Sequence, residues 1–174
     1  MKRLQFFRTL AVGGVANSAK DGTWLALPRE NANLNIDKAI QRLDELDLAN
    51  LVSTGSWSVA RTFDHLRQGI EFSMAGYPEE KSKLFQKTIG HLAFSVFRAR
   101  GAMTHALDEV IPGERLAASS RDPLIARADL IRALEDFRDS DGTLKPHFAY
   151  GKLDKSDYAI AHVLHIQNHM DEFT

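Results

Sequence analysis

Three of the chain's seven histidines, His162, His165 and His169, fall within eight residues. At about 100° per residue, a helix through this stretch places them within about 60° of one another. Tyr158 and Glu172 extend the same stripe. Neutral imidazole is a common ligand for zinc, nickel and copper and also suits iron. Two ligands from one helix need i,i+3 or i,i+4 spacing, and His162/His165 and His165/His169 both satisfy it. One ion does not readily take all three, because His162 and His169 stand about 10.5 Å apart along the axis. His165 is common to both pairs. The glutamate of the HExxH protease motif is absent.

A third ligand must come from another element. His65, in the middle of a helical pattern, is the best candidate. His147 stands in a loop just before the histidine helix and is within reach of the site or of a loop hydrogen bond. His91 and His105 read as ordinary hydrogen-bonded residues. Ala159, Val163, Ile166, Met170 and Phe173 form an apolar arc beside the stripe, with Asp157, Asn168 and Asp171 opposite. The stripe therefore borders a core.

The elements that must position these residues are helical. Asn35 is a plausible N-cap for a helix from Ile36 to about Leu48. Ser56 can cap a longer helix from Trp57 to about Ala75, with Val59, Phe63, Leu66, Ile70 and Met74 as its inner stripe. Gly76-Tyr-Pro78 ends it. A third pattern runs from about Glu79 to Arg100 through Leu84, Phe85, Ile89, Leu92, Phe94, Val96 and Phe97, and resumes briefly through Met103 and Leu107. After the Ile111-Pro-Gly113 turn, Asp122 and Pro123 open a helix with Leu124, Ala128, Ile131, Leu134 and Phe137 inside. Ser156 and Asp157 then begin the histidine helix. With no strand alternation, the fold class is all-α, a helical bundle.

At 174 residues, 44% of them apolar, the chain suits one domain with a core of its own. A net charge of −1 with mixed signs gives no case for nucleic acid. The absence of cysteine excludes disulfides, thiolate zinc sites and a cysteine nucleophile. No stretch approaches the roughly 20 apolar residues of a membrane span. Residues 1–34 read as an N-terminal arm. Lys2, Arg3 and the weak apolar run after Arg8 also look like a degenerate twin-arginine export signal, leaving a cytoplasmic and a periplasmic location both open.

Several motifs together carry a resemblance. Trp57-Ser with His65-Leu downstream, the loop His147-Phe-Ala-Tyr-Gly151-Lys-Leu153, and His165-x-x-x-His169 followed by Glu172-Phe173 resemble the DinB/YfiT-like superfamily of metal-dependent enzymes. Glu71-Phe-Ser-Met-Ala-Gly-Tyr-Pro78, Phe97-Arg-Ala-Arg-Gly101 and Ile111-Pro-Gly113 resemble a bacterial branch of unknown function within it. The resemblance implies a four-helix bundle over residues 35–174, up-down-down-up, with a short extra N-terminal helix or arm. It implies a divalent metal ion, nickel or zinc, held by His65, His165 and His169, and moves His162 to a supporting role. One departure is Glu172, where the family often has Gln. Some relatives are thiol-dependent transferases or isomerases.

Two functions compete. A metalloenzyme would act on a small-molecule substrate, by thiol transfer or hydrolysis. Tyr158, His162, His147 and Glu172 would be its acid–base helpers, and Arg61 would orient an anionic group. A non-catalytic metal-binding or interaction protein, working as a homodimer, is the alternative. A bundle with metal-free, hydrogen-bonded histidines is the plainest case.

Overall fold

A computed structural model describes residues 34–115 and 121–174. The candidate export signal lies outside the described residues. All described regular elements are helical; among the described residues only two isolated β-bridges occur, Ser53 with Phe173 and His147 with Gly151.

Helix α1 spans Ile36–Asp44 and buries Ile36, Ala39 and Leu43. The Asn35 side chain caps it, accepting from the Asp37 and Lys38 amides. It stops short of Leu48 because another element satisfies its end: Arg127 donates to the carbonyls of Leu43, Asp44 and Leu46.

Helix α2 spans Val59–Ala75, and its cap is Ser58, not Ser56: the Ser58 hydroxyl accepts from the Arg61 amide at 3.3 Å. Trp57 thus lies just outside the helix. The expected stripe is inside, though Met74 is only partly buried. Arg61, Thr62, Asp64, His65, Gln68 and Ser73 are buried as well, so α2 is enclosed on nearly every side. It packs most extensively on α5 and also on α6.

The third expected helix is interrupted. Single-turn α3, Lys83–Phe85, runs into a π-helical segment, Gln86–Gly90, and then α4, His91–Arg100. Gly90 is needed there, since a β-carbon would overlap the Ala149 carbonyl oxygen. Gly101, at φ 61°, closes α4 in the left-handed conformation. The expected inner stripe is corrected here. Leu84, Ile89, Leu92 and Val96 face solvent, and Phe94 is the buried apolar anchor. Helix α4 packs on α6, with Phe94 as its buried residue. Met103 and Leu107 continue no helix; residues 102–115 form an irregular segment pinned by buried Met103 and Ile111.

Helix α5, Pro123–Asp139, has the expected Asp122 cap. Its inner face is Ala126, Leu130, Ala133, Leu134 and Phe137, while Leu124 and Ala128 turn outward. The small Ala126 and Ala133 suit its close packing on α2. Helix α6, Lys155–Met170, is capped by Asp154. It too is buried nearly all round, including Asn168, which the helical pattern placed outside. At the end of α6 the chain pairs back: Val52 and Thr174 exchange backbone hydrogen bonds, and the Thr54 amide donates to the Glu172 carbonyl. This pairing holds the segment before α2 against the end of α6. No described helix is long and apolar enough to cross a membrane.

Candidate metal centre

Two buried helices carry the site. His65 sits mid-way along α2, and His165 and His169 lie one turn apart on α6. One nitrogen from each of the three lies within 4.8 Å of the other two. The ring centroids form a nearly equilateral triangle, with sides of 5.0, 4.9 and 4.9 Å. Gly69 makes room for the segment after α4: a β-carbon there would stand 3.1 Å from Ile111 Cδ1, and at an ordinary 3.9 Å from His165 Nδ1.

A carboxylate sets the His65 ring. Glu114, with its side chain wholly buried, accepts from His65 Nδ1 at 2.7 Å, from the Ile111 amide at 3.0 Å and from the Arg61 guanidinium. Burial alone would raise the Glu114 pKa, but the His65 and Arg61 bonds and the Ile111 amide outweigh it and hold the carboxyl below its ordinary range. With Nδ1–H donated to the carboxylate, a neutral His65 keeps its Nε2 lone pair for the cluster. That atom faces His165 Nε2 at 3.2 Å.

His169 is fully buried, and neither of its ring nitrogens has a hydrogen-bond partner among the described residues. Trp57 stacks on it at 5.8 Å between centroids, 10° from parallel, and lies 4.8 Å from His65. The Arg61 guanidinium lies over the Trp57 ring, 4.3 Å from its centroid. Burial, then the charges of His65, His105 and Arg61, push the His169 pKa down to about 2. Burial, then the neighbouring histidines, push His165 well below its usual value. Both rings are neutral at pH 7, the form that binds metals.

A fourth ring joins this group. His105, which looked like an ordinary hydrogen-bonded residue, lies 4.9 Å from His165 and 5.2 Å from His169 between centroids. Neither His105 nor Glu114 carries a helical signal. The legible hint for Glu114 was Arg61, a buried cation one turn from His65 that needs a carboxylate.

Tyr158, His162 and His147 make their ring contacts in a neighbouring group, although the His162 charge still helps depress the His165 pKa. None of the ring contacts among the described residues joins them to the His65–His165–His169 triangle; they belong to an aromatic group with Tyr77, Phe137, Phe148 and Tyr150. His162 contacts the Ser73 hydroxyl at 3.2 Å, and burial lowers its pKa to about 3. His147 Nδ1 accepts from the Ala149 and Tyr150 amides, and its ring stacks on Tyr150 at 4.2 Å. The Tyr158 hydroxyl donates to the Lys145 carbonyl at 2.7 Å, and burial raises its pKa. The Glu172 carboxylate packs against Gly55, and burial followed by the Asp108 charge raises its pKa. His91 is exposed on α4.

A family model matches residues 28–174. The chain belongs to the DUF1569 family. That family is described as proteins of unknown function. No curated protein and no solved structure matches the DUF1569 chain. The three close histidines of this DUF1569 member are compatible with a metal site.

Proposed function

We propose that this DUF1569 chain is a metal-dependent protein of the DinB/YfiT-like kind, with residues 35–174 as its working unit. In this reading His65, His165 and His169 hold a divalent ion, nickel or zinc. The observation that carries it is His169: a fully buried ring with both nitrogens unpartnered among the described residues, beside two other ring nitrogens. An unsatisfied buried polar atom costs about 1–3 kcal/mol. A proton shared between His65 and His165 would leave that cost in place, whereas a cation engages all three rings. Metal–nitrogen bonds of about 2.0–2.1 Å put tetrahedral ligand nitrogens about 3.3 Å apart. The 3.2 Å between His65 and His165 matches this spacing.

The chain's own residues then divide the work. Glu114 orients His65. Trp57 shields His169 from water. Arg61, whose Nη2 is buried with no partner among the described residues, supplies a cation for an anionic substrate group. Such an ion supplies Lewis acidity for a small-molecule substrate, with thiol transfer and hydrolysis both within its chemistry. In this reading Tyr158, His162 and His147 support the fold around α6.

Elemental analysis of protein purified without a metal-affinity tag tests the assignment. Near-stoichiometric nickel or zinc, lost in H169A and H165A, is expected. A metal-free protein that also fails to take up added ion would overturn it. Homodimerisation is a second reading of how the molecule works, favoured by the exposed Leu84, Ile89 and Leu92. Sedimentation of a Leu92→Glu variant against wild type checks it.

A further inference from the structure

The irregular segment between α4 and α5 touches the histidine site twice. Glu114 grips His65 from behind, and His105 faces His165 and His169. The distances from His105 to these two rings match those within the triangle itself. Its Nδ1 lies 2.9 Å from the Ala106 carbonyl oxygen, an acceptor, so Nδ1 carries the hydrogen and Nε2 the lone pair. That Nε2 is buried and has no hydrogen-bond partner among the described residues. A buried lone pair with nothing to bond is costly unless an electrophile meets it.

We propose that His105 is a fourth, exchangeable nitrogen donor to the ion held by His65, His165 and His169, brought in by the 102–115 segment. The proposal rests on the three-histidine reading above. His105 stands outside the set of nitrogens within 4.8 Å of one another, so donation requires the segment to close inward. The segment is built for a small movement. Met103 and Ile111 anchor it in the core, while Thr104, Ala106, Asp108, Glu109 and Val110 between them are exposed. A site with four protein ligands is closed, and one with three is open to substrate. His105 therefore decides which kind of site this is: bound, it seals the ion, and released, it exposes one position.

Cobalt(II) loading of the untagged full chain tests this, with azide as a probe of the open position. Wild type, H105A, H105Q and H169A are compared by visible absorption and by hydrogen exchange. The expected result is a cobalt affinity for H105A and H105Q weaker by at least about tenfold, and azide binding to them tighter by roughly tenfold. Exchange at Ala106–Val110 should slow on cobalt binding in wild type but not in the variants. If alanine does not fold, the glutamine variant carries the comparison. Superimposable cobalt spectra and azide affinities in wild type and H105Q would overturn the fourth donor. Loss of cobalt in H169A would at the same time leave the three-histidine reading standing. No cobalt uptake by wild type would overturn both.

Discussion

Replacing Glu114 by Gln is expected to weaken divalent-metal binding by about 10- to 100-fold, or about 1.4–2.7 kcal/mol. The carboxylate is wholly buried and has three donors pointing at it, from Arg61, His65 and Ile111. Oε2 serves both the His65 ring and the Ile111 amide, and Oε1 serves Arg61. Glutamine keeps one acceptor oxygen and turns the other position into a donor. If the amide oxygen stays with His65, the amide NH2 meets the Arg61 guanidinium, donor against donor. If it turns to Arg61, His65 loses the group that fixes its tautomer. Hydrogen bonds to a charged group are worth about 1.5–3 kcal/mol, a range that overlaps the affinity loss. Arg61 also loses its buried counter-charge, so the metal-free protein should lose on the order of 3–5 kcal/mol of stability. Competition with a chromophoric chelator measures the first effect, and urea unfolding of the metal-free protein the second. Affinity unchanged to within about twofold, alongside a clear loss of stability, would refute the orienting role and leave Glu114 as a folding residue.

His162→Ala removes a ring packed 5.0 Å from Phe137 and 5.4 Å from Tyr158, together with the Ser73 contact. It should cost about 2–4 kcal/mol in urea unfolding with little change in metal affinity; the opposite pattern would return His162 to the working site. Gly90→Ala should cost roughly 1–3 kcal/mol, because its β-carbon meets the Ala149 backbone and not a movable side chain. A neutral urea midpoint would show that the 147–151 turn yields easily. Acid should destabilise the metal-free protein early. Burial depresses the folded pKa of His162 to about 3 and holds that of His147 well below normal. Their contribution is complete above the unfolded value near 6.5 and is lost as pH falls toward the folded values, at about 1.4 kcal/mol per pH unit per histidine. An unfolding free energy flat between pH 7 and 5 would contradict this.

The parts of the site set by local geometry were legible in the sequence. His165 and His169 are one turn apart on one helix, so their meeting needs no tertiary knowledge. Periodicity also found α2 and placed His65 mid-way along it as the best third candidate, but the choice of His169 over His162 as the partner of His165 rested on family resemblance. The sequence lost its power where structure is not periodic. His105 and Glu114 reach the rings from an irregular segment, where spacing says nothing about direction. Apolar residues misled on the outer elements: α4 is apolar on several sides, so its stripe could not say which side faces in. On α5 the close approach of α2 favoured Ala126 and Ala133 over the larger Leu124. Buried polar residues misled in the other direction, as with Asn168, because α6 is covered on almost every side.

The π-helical turn at Gln86–Gly90 bears on the family's history. Such a turn takes up one additional residue while the helical stretches on either side keep their faces. Here it meets the His147–Gly151 turn at two points: the Gln86 amide donates to the Phe148 carbonyl at 3.2 Å, and Gly90 lies under Ala149. Relatives one residue shorter between Ser82 and His91 should have an unbroken helix with Phe94 still inside. They should also lack the small residue at Gly90 and carry a different 147–151 turn, the three features having been gained or lost together.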